Sequence, residues 1–161
     1  MSNFKSQQKP AFNPARMGEG YSYSEARNWR SAALGLLDDY SKVNLSTDWL
    51  GGKPQIVGTL RRKRILADTA NTPLNADHFV DIVDNKEKFP EEWKKDGRCI
   101  TFDGDVFTFC DGRHHSDGRL FRGSRFVMGL SWLDGQPLKH CVWLASHELD
   151  AKYPSAVLAS G

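Results

Sequence analysis

Residues 96–135 read DGRCITFDGDVFTFCDGRHHSDGRLFRGSRFVMGLSWLDG. Asp-Gly recurs through this stretch, at Asp96–Gly97, Asp103–Gly104, Asp111–Gly112, Asp117–Gly118 and Asp134–Gly135. The pair suits the type I′ turn of a two-residue hairpin, whose central positions need φ > 0: Gly adopts it freely and Asp tolerates it. Between the pairs lie short runs rich in Phe, Val, Ile and Leu, which alternate as strands do. Phe107 and Phe109 share one face, and Val106, Thr108 and Cys110 the other. Phe126, Met128, Leu130 and Trp132 line one side of the longest run, opposite Arg125, Val127, Gly129 and Ser131. Asp134–Gly135 then turns the chain into a further strand over 138–145. The pattern predicts a C-terminal antiparallel β-meander with one apolar face, either an open curved sheet or a small, partly open barrel.

Working outward from the sheet, the upstream half reads as helical. Ser22 and Glu25 have the S-x-x-E spacing of a capping box, and Trp29, Ala33, Leu36, Leu37 and Tyr40 recur at helical intervals. This predicts an N-terminal amphipathic helix to about residue 41. Thr72–Pro73 suits an N-cap and first helical position ahead of Leu74, His78 and Ile82, predicting a helix over 73–84. A shorter one over 90–97 would carry a Glu91–Lys95 pair and end at Gly97. Residues 55–67 read as a strand, with a short basic helix as the alternative. The fold class is therefore α+β, with the amphipathic helix and short middle helices packed on the meander. Residues 1–20 are expected to form a flexible basic arm, 21–150 a single α+β domain, and 151–161 a frayed C-terminal tail.

Composition narrows the function classes. A hydrophobic content of 39% with 26% charged residues fits a soluble globular protein. No apolar run is long enough to span a bilayer, and no secretory signal is expected at the N-terminus. Cys99, Cys110 and Cys141 form an odd, sparse set, which points to reduced thiols and a cytoplasmic location. The net charge of +2 hides an asymmetry: residues 1–64 carry eleven Lys/Arg against five Asp/Glu, whereas residues 65–108 carry five against ten. Two faces of opposite sign suit two kinds of partner, although the blocks also suit each other.

Chemistry-bearing motifs are scarce. Zinc wants a close Cys or His pair, and the cysteines do not supply one; no metal or cofactor is expected. P-loop, G-x-G-x-x-G, H-E-x-x-H and G-x-S-x-G patterns are absent from the sequence. What remains is a basic-aromatic interleaving. Arg61, Arg62, Lys63 and Arg64 stand together, and Arg119, Phe121, Arg122 and Arg125 follow later. Cations along a groove with an aromatic face for base stacking are the recipe for single-stranded nucleic-acid binding. The leading expectation is thus a small non-catalytic protein that contacts nucleic acid through these eight residues. The alternative is a protein-binding inhibitor or assembly factor, of the viral or phage accessory type. It would act through an acidic helical block, Asp77, Asp81, Asp84, Glu87, Glu91 and Glu92, or through a sheet edge. A third reading is a small hydrolase centred on His114 and His115, since histidine titrates near neutrality.

Overall fold

A computed structural model describes residues 13–17, 21–95, 97–109, 124–145 and 148–160. The Asp134–Gly135 turn has φ of 51° and 79°, the two positive angles a type I′ hairpin requires. It joins β6 (Phe126–Leu133) to β7 (Gln136–Trp143) in a continuous antiparallel ladder from Phe126↔Trp143 to Leu133↔Gln136. On its other side β6 pairs antiparallel with β5 (Ile100–Phe109). Beyond β5 the sheet departs from a meander. β9 (Ser155–Ala159) meets β5 in parallel at Thr101↔Ser155, and pairs antiparallel with β2 (Asn44–Ser46) and β4 (Asn71–Pro73). β1 (Tyr21–Tyr23) pairs with the far half of β5. These seven strands form one mixed sheet curled into a half-barrel. A separate two-stranded ladder joins β3 (Gln55–Val57) to β8 (Glu148–Asp150).

Both faces of the sheet are covered. α3 (Ala76–Asp84) lies on one, where Phe79 and Ile82 pack against Ile100, Phe102, Phe107, Phe126, Met128 and Leu130. Each fully buried Phe contributes about 1.5–3 kcal/mol of transfer free energy. The Phe79 and Phe102 rings meet edge to face at 5.5 Å. On the opposite face Val106, Val127, Val142 and Leu144 pack under Trp49, Ile56, Leu149 and Ile65 of α2 (Gly58–Ala67). Even-numbered Phe102 and odd-numbered Phe107 both face α3, because the β5–β6 register shifts between them. That irregularity contains Asp103–Gly104, so this Asp-Gly pair lies inside a strand and makes no hairpin. Its glycine serves close packing: a Cβ on Gly104 would stand 2.6 Å from Ser31 Oγ and 2.8 Å from Asn75 Cβ.

Several expected elements take another form. The long N-terminal helix reduces to α1 (Trp29–Ala33), capped by the Asn28 side chain, which accepts from Ser31 N–H. Tertiary pairing overrides the local capping-box signal: Ser22 lies in β1, Tyr23 stacks on Phe107 at 5.3 Å, and Ser24 N–H donates to Val106 O. The supposed apolar stripe splits, with Tyr40 buried while Trp29 and Leu36 are 77% and 51% exposed. Residues 58–67 are helical, so the strand expected over 55–67 is confined to β3. α3 starts at Ala76 under Asn75, since Thr72 and Pro73 belong to β4. Among the described residues of the helix expected at 90–97, Glu91–Trp93 form a 3-10 turn, and Glu91 pairs with Lys94 at 3.2 Å. The C-terminal stretch does not fray: β9 pairs with β2, β4 and β5, and Ser155 and Ala156 are fully buried.

Candidate functional site

Helix α2 distributes its four cations around its circumference, as a period of 3.6 residues dictates. Arg61 and Arg62 turn inward with Ile65, Arg64 turns sideways, and Lys63 is exposed. Arg61 is wholly buried. Its Nη1 donates to Asp103, and its Nη2 donates to Asp103 Oδ2 at 3.2 Å and to the Tyr153 carbonyl at 3.2 Å. Its guanidinium also lies 4.5 Å from the Trp49 ring centroid. Asp103 accepts two further bonds at 2.7 Å, from the Thr101 and Ser155 hydroxyls. Burial pushes the Asp103 carboxyl up, but Arg61 and these donors outweigh it and hold it below the usual carboxylate range. Arg62 and Arg125 both clasp Glu25, Arg125 Nη2 at 2.6 Å. Arg64 Nη1 donates to the Trp49 and Leu50 carbonyls at 3.0 and 2.9 Å. The RRKR cluster is thus chiefly a set of internal tethers, not a cationic surface. Arg119, Phe121, Arg122, His114 and His115 lie outside the described residues.

The acidic residues divide differently. Asp77 is engaged by Arg27, which also holds Asp105 in a bidentate pair at 2.7 and 2.8 Å. Asp81 is buried, where it accepts from the Tyr40 hydroxyl at 2.7 Å and from Lys88 Nζ at 3.0 Å. Burial and this hydrogen bond push the Tyr40 phenol up. Lys88 Nζ also reaches the Leu37 carbonyl at 3.3 Å. Asp84, Glu87, Glu91 and Glu92 remain on the surface, with Asp84 3.5 Å from Arg16.

Glu87, Glu91 and Glu92 line a groove of about 650 Å³. A segment that sequence reasoning missed, Asp38, Asp39 and Ser41, contributes another stretch of its wall. Phe89 and Pro90 also line it, and Lys88 and Lys94 are the groove's two cations. Both are engaged, Lys88 with Asp81 and Lys94 with Glu91 and the Trp132 ring at 4.3 Å. The Ser41 hydroxyl and amide bond Asp39 at 2.7 and 2.9 Å and hold its carboxyl below the usual range. Asp39-x-Ser41 is an Asx-turn pattern, the one local signal that could have flagged this wall.

A smaller cavity of about 360 Å³ lies between β9 and α2, beside Trp49, Arg64, Asp68 and Ser155. Several of its polar groups are engaged: Arg64 and Ser155 are bonded as above, and Asp68 accepts from Ala70 N–H and Asn71 Nδ2. Among the described residues no three His, Cys, Asp or Glu side chains gather as metal ligands. No described helix is long and apolar enough to cross a membrane. Comparison of the chain with known protein families, curated proteins and solved structures finds no match.

Proposed function

We propose that this chain is a protein-binding module of the inhibitor or assembly-factor kind, receiving a Lys/Arg-rich segment of its partner in the acidic groove. One observation carries the reading. Five carboxylates, Asp38, Asp39, Glu87, Glu91 and Glu92, line the groove beside Phe89 and Pro90; of its two lysines, Lys88 is held by Asp81 and Lys94 pairs with Glu91, so the carboxylates outnumber the groove's lysines. Charge of one sign in a concavity attracts the opposite sign and speeds encounter. The Arg16–Asp84 contact illustrates the same chemistry on the adjoining surface. Nucleic-acid binding draws less support, because Arg61, Arg62 and Arg64 donate inward and leave Lys63 as the exposed cation of that cluster.

The test is a fluorescence-anisotropy titration with three labelled probes: a Lys/Arg-rich peptide pool, a matched acidic pool and a single-stranded oligonucleotide. The basic pool is expected to bind, weakening as salt rises. Charge reversal by Glu87→Lys, Glu91→Lys and Glu92→Lys together is expected to reduce affinity at least about tenfold, at roughly 0.5 kcal/mol for each exposed pair. Retention of the oligonucleotide, or equal binding of both peptide pools, would overturn the proposal.

A further inference from the structure

The acidic wall at Asp38–Asp39 is fastened to α3 through a histidine. His78 stands at the third position of the helix and is fully buried. Its Nδ1 accepts the Asn75 backbone N–H at 3.0 Å, while Asn75 Oδ1 accepts from Asp77 N–H at 3.0 Å. On the far side of the ring, Nε2 lies 3.0 Å from the Gly35 carbonyl. A carbonyl only accepts and a backbone N–H only donates, so a single state satisfies both neighbours: the neutral ring with hydrogen on Nε2. That ring joins the helix N-terminus to the segment that runs from Gly35 into the groove wall.

We infer that His78 is a proton-operated clip that holds the groove wall in place and releases it on acidification. A proton added at Nδ1 meets the Asn75 N–H head on, donor against donor, so the ring must turn or leave and the Gly35 bond goes with it. The groups facing the ring offset this only in part. Asp77 and Asp81 of α3 favour the charged ring, while Asp77 is engaged by Arg27 and Asp81 by Lys88. Arg27 is itself a cation and resists a second one, with its other partner, Asp105 of β5, bonded to Ala76 N–H at 3.0 Å. From the wall segment the Tyr40 ring meets His78 edge-on at 6.2 Å, and its hydroxyl belongs to Asp81. Burial outweighs the Gly35 carbonyl, Asp77 and Asp81, which favour the charged ring, and Arg27 adds a smaller push the same way as burial, so proton uptake falls below the ordinary value of 6.5. Once the clip opens, the Tyr40–Asp81 and Lys88–Leu37 bonds are the remaining holds on the wall among those described above.

The consequence for ligand capture rests on the docking reading above, so the experiment separates the two. Hydrogen exchange of backbone amides over residues 34–41, corrected for intrinsic rates, is measured with no peptide present at pH 7.5 and 5.5. Exchange there is expected to accelerate about tenfold at the lower pH, the equivalent of one to two lost hydrogen bonds, ahead of the amides of β5 and β6. His78→Gln supplies a non-titrating acceptor and donor at the same position and is expected to abolish the acceleration. Should that variant fold poorly, the ¹⁵N shifts of the wild-type imidazole report whether ring protonation and wall exchange share one midpoint. Unchanged exchange over 34–41, exchange that rises only in step with β5 and β6, or a ring that titrates independently of the wall would each overturn the clip. Binding of the basic peptide pool, repeated at both pH values, reads the second question. A wall that opens with no peptide bound at either pH supports the clip and removes the docking role. Peptide binding with the same pH profile in wild type and His78→Gln supports docking and removes the clip.

Discussion

Replacing Asp103 by Asn is the most exacting test of the interior described here. The substitution changes almost no volume, so no cavity term enters, and the effect is electrostatic. Both Asp103 and Arg61 side chains are 0% exposed, and Asp103 accepts from Arg61, Thr101 and Ser155 together. An Asn at this position presents one acceptor oxygen where the carboxylate presents two, and it turns an NH2 toward groups that all donate to the native carboxylate. It also leaves the Arg61 cation buried without its counter-charge. Breaking a buried pair from one side costs about 3–5 kcal/mol. Domains have a total stability of about 5–15 kcal/mol, so the variant is expected to sit close to unfolding. With a urea slope of about 2 kcal/mol per M, the midpoint should fall by roughly 2 M while the slope stays the same. The matching Arg61→Met, Asp103→Leu double variant removes both charges and is expected to recover more than half of the loss, a coupling that a double-mutant cycle reads directly. A loss below about 1 kcal/mol for Asp103→Asn, the range of an exposed pair, would refute a fully desolvated Arg61–Asp103 contact.

Four further outcomes are expected. Stability should decline as pH falls below 6.5, because the unfolded chain takes up a proton at His78 that the folded chain resists; it should be flat just above that pH, and His78→Gln should remove the decline. The Asp103 contribution has the opposite origin, a lowered carboxylate, and is lost only as pH drops below 3.8; urea midpoints at pH 7.5, 6.5, 5.5 and 3.5 resolve the two windows. Tyr40→Phe removes the hydroxyl that Asp81 accepts and should cost about 1–3 kcal/mol, as for a hydrogen bond to a charged group, and an undiminished melting temperature would show that the bond contributes nothing. Burial pushes the Cys99 thiol up to about 12, so Cys99 should alkylate at pH 8 far more slowly in the native protein than in urea; equal rates by peptide mass mapping would mean that the site is open.

What could be read from the chain and what could not follow one physical line. Alternation along 126–132 and the Asp134–Gly135 turn are local signals, and β6, β7 and their hairpin follow from them. The absence of a helix at Ser22 is a non-local fact, since Tyr21–Tyr23 pairs with strand β5 more than eighty residues later. Likewise four adjacent basic residues look like a surface until Arg61 is matched with Asp103, 42 positions away, and Arg62 with Glu25, 37 away. No periodicity marks an arginine for burial, because what permits it is a partner and not its own hydropathy. Of the acidic block, Glu87, Glu91 and Glu92 line the groove, whereas Asp77 and Asp81 serve internal ion pairs, a division that no run of like charge reveals. Asp38, Asp39 and the Gly35 carbonyl that faces His78 do not stand out in the sequence, since the segment holding them reads as the end of a helix.

The position of β9 bears on how the molecule comes into being during translation. Strands β2 and β4 leave the ribosome early, yet the strand they share, residues 155–159, is made more than eighty residues after them. Neither can settle into its ladder while synthesis is still short of that point. The hairpin of β6 and β7, by contrast, closes on itself at once. Nascent chains from which residues 155–159 have not yet emerged should therefore leave β2 and β4 without their shared partner, a state that chaperones would be expected to hold and proteases to cut.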